Sequence, residues 1–200
     1  MRSVILHDLP DQPGQAWPWR AYVIPTGGGN KVDINITLTD LQFSGALDYA
    51  LVFDNASVGV RGQVNATNGV AVLPGMEVPS PRLWSLESPH LHLVTVTVGN
   101  ASITERFGLR LWGVDSASSR ITLNGKIVKL HGFNHHTQWP VLDSSGGAVG
   151  RSIGASPTDA QLDTDISLLK EAGANFIRGS HYPQDQRWLD RLDEAGIVMW

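Results

Sequence analysis

Apolar and polar side chains alternate along the first half of the chain. Over residues 32–39, apolar residues hold every second position and polar residues stand between them. This period of two gives a strand one apolar and one polar face. Turn residues such as Asn68-Gly69 separate further segments of strand character, and no helical period interrupts them. We therefore predict an antiparallel β-sandwich over 31–112, preceded by a lead-in over 1–30, with further strands near 47–53, 57–65, 69–78, 91–98 and 102–109.

A β-hairpin is predicted after this domain. Residues 121–123 and 126–128 flank the dipeptide Asn124-Gly125. Asn-Gly is a strong hairpin signal because both residues tolerate the positive φ angles of a tight turn.

The pattern changes beyond residue 128. Ser156-Pro157 predicts a helix start, with Ser156 as the N-cap and the proline in the first turn. Leu162, Ile166 and Leu169 share one face of that helix, which Gly173 ends. Strands are predicted at 128–133, 174–178 and 197–200, with a second helix at 185–195. This β-α-β-α-β order predicts a parallel sheet with crossover helices.

A sheet of three parallel strands with two helices cannot cover both of its faces. We therefore expect the 200 residues to be part of a longer protein, with the boundary between the two halves near 112–120.

Composition excludes several classes of protein. The formal net charge is −4, so we expect no nucleic-acid partner, which would require a basic face. No apolar run reaches the roughly 18 residues of a membrane-spanning helix, and we expect no membrane partner. Cysteine is absent, which excludes disulfides and thiolate chemistry but leaves the compartment, secreted or cytoplasmic, open. Secretion is slightly favoured by four N-glycosylation sequons, at Asn35, Asn55, Asn65 and Asn100.

Several motifs in residues 80–200 resemble family 2 glycoside hydrolases, the family of β-galactosidases, β-glucuronidases and β-mannosidases. The most specific is Asn-Phe-Ile-Arg-Gly-Ser-His-Tyr-Pro at 175–183, which is similar to the family's second-strand signature. The others are Pro-Arg-Leu-Trp at 81–84, Ser-Pro at 88–89, Phe-Gly-Leu-Arg at 107–110, Leu-Asn-Gly-Lys at 123–126, His-Gly-Phe-Asn-His-His at 131–136 and Asp-Glu-Ala-Gly-Ile at 193–197.

The resemblance implies a multi-domain β plus α/β protein. Its parts would be an immunoglobulin-like β-sandwich and, over 113–200, the first β/α units of an incomplete (β/α)8 TIM barrel. The implied activity is hydrolysis of O-glycosyl bonds of β-linked sugars by a retaining double displacement, with β-galactosides first and β-glucuronides or β-mannosides next. A carbohydrate substrate is the implied partner, and the longer protein is compatible with a homo-oligomer. No cofactor is expected in this chain, although some family members bind Mg²⁺ or Na⁺.

The resemblance also implies a substrate-binding site at the carboxyl ends of the barrel strands. Asn134 and His136 would end the first strand, and Arg178 and His181 the second. Strand parity lets Asn134 and His136 face the same way, whereas adjacent His135 and His136 cannot both do so. The family's two catalytic glutamates lie on the fourth and seventh strands, which we expect beyond Trp200. We therefore expect no catalytic residue in this chain and no activity from it alone.

Two differences from the family leave the identity of the sugar open. Thr137 stands where an acidic residue is common, and residues 141–155, rich in Gly and Ser, are predicted to be an enlarged loop. Trp139 in this region is a candidate for stacking on a sugar, although loop packing is the more ordinary role. Buried packing is the expected role of Trp84, Trp112 and Trp188.

Two other functions compete with the glycosidase. The β-sandwich is also typical of a non-catalytic glycan-binding or scaffold module. A metal-dependent hydrolase would use the histidines at 131, 135, 136 and 181 as ligands. We expect no metal site, because adjacent histidines on a strand do not converge on one ion.

Overall fold

The computed structural model describes residues 16–136 and 157–200, together with Ser145. Contacts between residues divide them into two units. The first, here called the β unit, contains residues 16–84 and 90–127. The second, here called the α/β unit, contains residues 85–89 and the described residues from 128 to 200.

The β unit is built on a seven-stranded antiparallel sheet in the order β1-β2-β5-β4-β3-β6-β7. Only two residue pairs join β4 to β5, so this link separates a three-stranded half from a four-stranded half. Strands β1 and β7 lie close to each other, which nearly closes the sheet. The strands are β1 (Pro18–Thr26), β2 (Lys31–Leu38), β3 (Gly45–Phe53), β4 (Val60–Thr67), β5 (Val70–Glu77), β6 (His92–Val98) and β7 (Ala101–Phe107).

The core of the β unit follows the predicted alternation. Every second residue of β2 and of β6 is buried, and the residues between them are more exposed. The two strands belong to different halves of the sheet, and their apolar faces join one hydrophobic cluster. Burial of these faces stabilises the two halves against each other.

Strand β1 lies within residues 1–30, which we predicted to be a lead-in to the β-sandwich. It pairs along its length with β2, with a bulge between Pro18 and Arg20. Prolines at positions 18 and 25 suggest a loop, but proline is compatible with a strand where its missing N–H is not needed.

The predicted hairpin is present in a three-stranded sheet of β8 (Trp112–Asp115), β9 (Arg120–Leu123) and β10 (Lys126–Ile127). Asn124 and Gly125 have φ angles of 53° and 76°, as a tight turn of this kind requires. This sheet groups with the β unit, so the division along the chain follows Ile127. Trp84 is fully buried as expected, but Trp112 is 43% exposed and the expectation of a core position there is wrong.

The α/β unit contains the predicted β-α-β-α-β order. Its elements are β11 (Gly132–His135), α1 (Asp159–Glu171), β12 (Phe176–Gly179), α2 (Gln186–Ala195) and β13 (Val198–Met199). The three strands form a parallel sheet in the order β11-β12-β13. Leu162 and Leu169 of α1 pack with Trp188 and Leu192 of α2 against buried Ile177 of β12. Among the described residues, no helix is long and apolar enough to cross a bilayer.

Strand β11 begins later than the sequence predicted, at Gly132 instead of Val128. The side chain of Asn175 explains the difference. Its Oδ1 accepts from the backbone N–H of His131 at 2.9 Å, and its Nδ2 donates to the carbonyl of Lys129 at 2.9 Å. These side-chain hydrogen bonds satisfy the backbone before Gly132 in place of a strand ladder.

The cap of α1 also differs from the prediction. The N-cap is Thr158, because its Oγ1 accepts from the backbone N–H of Gln161, whose side chain in turn accepts from the N–H of Thr158. This reciprocal capping box is a stronger helix start than a serine before a proline. Ser156 lies outside the described residues. Gly173 and Gly196 follow the ends of the two helices with φ of 72°, as predicted.

Candidate functional site

The carboxyl ends of β11 and β12 carry the predicted site residues. Asn134 and Arg178 stand opposite each other in the parallel register. Because parallel strands point the same way, residues at matching positions near their ends lie at one edge of the sheet. Asn134 is exposed and Arg178 is partly buried, so both can be reached by a ligand.

The two remaining predicted residues follow these strands and contact each other. The rings of His136 and His181 lie edge to face, with centroids 5.7 Å apart and an interplanar angle of 83°. Tyr182 is next to them, and its hydroxyl oxygen lies 3.4 Å from Nδ1 of His136. Which of these two atoms donates depends on the tautomer of His136. The histidines thus form a polar aromatic cluster beside the strand ends.

Arg178 also contacts an aromatic ring. The central carbon of its guanidinium lies 5.7 Å from the ring centroid of Trp200, within the range of a cation–π interaction. The backbone fixes this pair, since Trp200 donates to the carbonyl of Ile177 at 3.1 Å and accepts from Gly179 at 3.0 Å. The indole is 78% exposed and therefore open to a ligand as well.

His135 lies on the face of β11 opposite to the one that carries the site residues. Its ring stacks on Trp188 of α2, with centroids 4.8 Å apart and planes 22° apart. Its Nε2 lies 3.2 Å from Oδ2 of Asp165 in α1. His135 therefore ties the end of β11 to both helices and leaves the site to its neighbour His136, as strand parity predicts.

The loop after β12 is held in place by backbone and packing contacts. The N–H of Ser180 donates to the carbonyl of His135 at 2.9 Å, and the Ser180 side chain is buried. The peptide bond from Ser180 to His181 is cis. Gln184 folds back on the strand, so a methyl group at Gly179 would lie 3.1 Å from its side chain. These contacts fix where His181 and Tyr182 leave the sheet.

The chemistry of the cluster is that of binding. Asn134 can donate and accept, Arg178 donates only, and each neutral histidine has one donor and one acceptor nitrogen. None of the four predicted residues carries a carboxylate. The arrangement can therefore hold hydroxyl groups or an anion, but it supplies neither a carboxylic acid nor a carboxylate nucleophile.

Sequence reasoning missed Tyr182 and Trp200 as members of this cluster. Tyr182 directly follows His181 within the same motif, so its proximity was a readable signal. Trp200 follows Met199 at the end of β13, and only the three-dimensional pairing shows that it reaches Arg178. Thr137, Trp139 and the loop 141–155 lie outside the described residues.

The histidine ligand set of the competing metal-dependent hydrolase was also compared with the described part of the chain. There, no three His, Asp or Glu side chains converge in a way that could hold an ion. His136 and His181 pair with each other, whereas His135 turns to the helices.

Two family models match nearly all of the described chain. The model of glycosyl hydrolases family 2 matches residues 21–110. The model of the TIM barrel domain of glycosyl hydrolases family 2 matches residues 114–200. The chain belongs to glycoside hydrolase family 2.

Individual relatives are distant and much longer. The chain is 29% identical over 171 residues to a putative beta-glucuronidase of Formosa agariphila, covering 82% of this chain and 19% of that protein. It is 31% identical over 132 residues to a beta-galactosidase of Alteromonas mediterranea, covering 64% of this chain and 12% of that protein. The chain thus spans about a fifth or less of the length of these curated relatives.

Solved structures of the family share the fold. A GH2 beta-galacturonidase from Eisenbergiella tayi, solved with galacturonate, superposes with a TM-score of 0.72 at 26% identity, over 94% of this chain and 32% of that one. A beta-glucuronidase from Parabacteroides merdae superposes with a TM-score of 0.67 at 21% identity, over 90% of this chain and 23% of that one.

Proposed function

We propose that this chain is part of a retaining β-glycosidase and supplies a portion of its sugar-binding site. The observation that carries the proposal is the polar cluster at the carboxyl ends of β11 and β12, where Asn134 stands opposite Arg178 and His136 contacts His181. Membership of glycoside hydrolase family 2 supports this function in general terms.

The same proposal includes the architecture. The two halves of the β unit, joined by a short ladder and sharing one core, would form an immunoglobulin-like sandwich. The three parallel strands of the α/β unit would be the first of the eight strands of a (β/α)8 barrel. In such a barrel, active sites lie at the carboxyl ends of the strands, which is where this cluster is found.

A retaining mechanism requires two further groups. One carboxylic acid protonates the leaving oxygen, while a carboxylate about 5–5.5 Å away attacks the anomeric carbon. The cluster contains neither group, so the remainder of the enzyme must provide both. The role of the four residues would be to hold the sugar hydroxyls and to stabilise charge as it develops on the ring.

β-Galactosides are the first substrate candidates, followed by β-glucuronides and β-mannosides. Proteins similar to this chain include ones named beta-galactosidase and beta-glucuronidase, so both sugars stay in the proposal. Arg178 can form a bidentate pair with a uronate carboxylate, whereas the histidines and Asn134 suit hydroxyl groups.

The test is hydrolysis of a panel of aryl β-glycosides by the complete protein that contains this chain. We expect cleavage of at least one sugar, with net retention of anomeric configuration measured by NMR. Arg178→Ala should lower kcat/KM by about 100-fold, equivalent to ~2.7 kcal/mol of transition-state stabilisation. Arg120→Ala, at an exposed position in β9, is the matched control and should leave kcat/KM unchanged.

Two results would contradict the proposal. A complete, folded protein that cleaves no member of the panel but still binds glycans would be the non-catalytic module. Equal activities of Arg178→Ala and wild type would remove this cluster from the sugar site. The 200-residue chain by itself should not cleave the panel, because the cluster lacks both carboxyl groups.

A further inference from the structure

A second candidate binding site lies in the β unit, on the outer face of the β1–β2 hairpin. A groove of about 450 Å³ opens there between the two strands and the residues that follow β2. This volume falls within the roughly 300–1,000 Å³ of small-molecule sites. Its lining includes Trp19, Arg20, Tyr22, Thr37, Thr39 and Leu41.

The bulge in β1 lies beside the groove. In a regular strand, Trp19 and Arg20 would point to opposite faces of the sheet. The register shift between Pro18 and Arg20 breaks that alternation, so Trp19 and Arg20 are both exposed, while Ala21 is buried. Beyond the bulge, the hairpin continues through a hydrogen bond from the N–H of Thr39 to the carbonyl of Trp17 at 2.9 Å. Bulges commonly re-aim side chains in this way near functional surfaces.

Two aromatic rings and a cation converge on this surface. Trp19 and Tyr22 are each 49% exposed. A guanidinium N–H of Arg20 donates to the hydroxyl of Tyr22 at 3.0 Å, and the guanidinium carbon lies 5.7 Å from the Tyr22 ring centroid. This hydrogen bond is the main cause of the raised pKa of Arg20. It occupies one of the five donors of the guanidinium and orients the fork at the surface.

We propose that this groove binds a saccharide that carries a uronate carboxylate. The exposed ring of Trp19 suits the apolar C–H face of a pyranose, and the oriented guanidinium of Arg20 suits a carboxylate. Thr37 and Thr39 line the same groove and add hydroxyl groups for sugar oxygens.

Charge is the feature that selects an acidic sugar. The chain has a formal net charge of −4, and an acidic ligand needs a local cation to overcome that repulsion. Arg20 provides such a cation beside a stacking surface, and an acidic ligand would compete there with the charge of Glu105. A neutral sugar would use the ring of Trp19 but would gain little from the guanidinium. This inference does not depend on the proposed glycosidase activity, since none of its residues belongs to the β11–β12 cluster.

The experiment is an NMR titration of the full 200-residue chain with a sodium oligogalacturonate. The reporter is the indole N–H signal of Trp19, assigned through its disappearance in Trp19→Phe. Neutral galacto-oligosaccharide of the same length and sodium acetate are the comparison ligands. We expect the acidic oligosaccharide to shift the Trp19 signal, with an affinity at least about tenfold higher than that of either comparison ligand and decreasing with salt.

Variants at two positions separate the groove from the rest of the surface. Arg20→Gln should lower the affinity for oligogalacturonate by about tenfold or more, to the level of the neutral sugar. The Trp19 variants lack the reporter signal, so their binding is measured by isothermal titration calorimetry. Trp19→Ala should abolish saturable binding, while Trp19→Phe keeps a ring and should retain part of it. Arg61→Gln and Trp112→Ala, at exposed positions elsewhere in the β unit, are the matched controls and should bind like wild type.

Four outcomes would overturn the proposal. These are no response of the Trp19 signal, binding that leaves this signal unmoved, equal affinities for acidic and neutral sugars, and full binding by Arg20→Gln. Far-ultraviolet circular dichroism confirms that each variant keeps its β structure. If Trp19→Ala loses that structure, Arg20→Gln and Trp19→Phe serve as the test instead.

Discussion

Asp54 connects the end of β3 to the start of β6, and its replacement gives a sharp test of how the β unit is held together. Its Oδ1 accepts from the N–H of Leu93 at 2.8 Å, and its Oδ2 lies 2.7 Å from Nδ1 of His92. Because a carboxylate only accepts, Nδ1 of His92 carries the proton. His92 is 1% exposed, and in the neutral ring its Nε2 accepts from the N–H of Arg82 at 3.1 Å.

Asp54→Ala removes both hydrogen bonds to the carboxylate. Hydrogen bonds to charged groups contribute about 1.5–3 kcal/mol each. The Asp54 side chain is 42% exposed, which weakens them toward the lower value. Asp54 has a φ of 49°, and alanine in the left-handed region adds about 1 kcal/mol of strain. We expect Asp54→Ala to lower the free energy of unfolding of the β unit by about 4 kcal/mol.

Asp54→Asn should cost less, about 1 kcal/mol, since asparagine tolerates positive φ and keeps one acceptor. Its amide can donate to Nδ1 of His92 if the ring changes tautomer. Nε2 of His92 would then donate to the carbonyl of Arg82, which lies 3.1 Å away. The surroundings of His92 thus suit either tautomer, and the asparagine variant should keep the ring buried.

The same contacts predict how stability depends on pH. Burial acts to raise the pKa of Asp54, but the hydrogen bonds from Leu93 and His92 outweigh it, and the pKa lies below the ordinary 3.8. A carboxyl with a lowered folded pKa contributes stability that is fully present above the unfolded pKa. That contribution is lost as pH falls below 3.8 and through the folded pKa. The free energy of unfolding of Asp54→Asn should lack this pH-dependent contribution.

Hydrogen exchange of the backbone amides of Val94 and Val96 measures these effects, because both residues lie in the buried part of β6. Asp48→Ala is the matched control, since its carboxylate accepts an exposed hydrogen bond from Gln63. We expect a change below about 0.5 kcal/mol for this control. Equal protection of β6 in Asp54→Ala and Asp48→Ala would refute the reasoning.

Two further substitutions test the α/β unit. Gly132→Ala would place a methyl group 1.6 Å from the carbonyl oxygen of Phe176, so we expect separation of β11 from β12 and lost protection of their amides in hydrogen exchange. Gly27→Ala is its control, because a methyl group on Gly27 would meet no other atom within 4 Å. This variant should melt like wild type. Asp185→Ala removes the N-cap that accepts from the N–H of Arg187 at 2.9 Å and should lower the stability of this unit by about 1 kcal/mol in urea unfolding. An unchanged urea midpoint would show that the Asp185 cap does not stabilise this unit.

The β unit was largely predictable because one face of each strand is buried. In β2, and in β6 from Val94 to Val98, the apolar period of two matches the buried positions. The Asn124-Gly125 turn was predictable for a local reason, since few dipeptides tolerate two positive φ angles. Strand β1 was not predictable, because its prolines are typical of loops and its pairing with β2 cannot be read from the local sequence.

The features that sequence reasoning missed in the α/β unit depend on partners that are distant in sequence. The start of β11 is set by the side chain of Asn175, which lies more than 40 residues away. Trp200 became part of the candidate site only through its contact with Arg178 across the sheet. Neither contact produces a local period of apolar residues, so residue propensity and sequence pattern could not predict it.

The adjacent histidines 135 and 136 show how little sequence separates a packing role from a binding role. The two residues have the same side chain and neighbouring positions, yet successive strand residues point to opposite faces of the sheet. On the helix side, His135 is confined between Trp188 and Asp165. On the other side, His136 is exposed beside His181 and Tyr182. A shift of one residue in the register of β11 would exchange these roles. The contacts of Asn175 with residues 129 and 131, which fix where β11 begins, therefore also determine which histidine can reach a ligand.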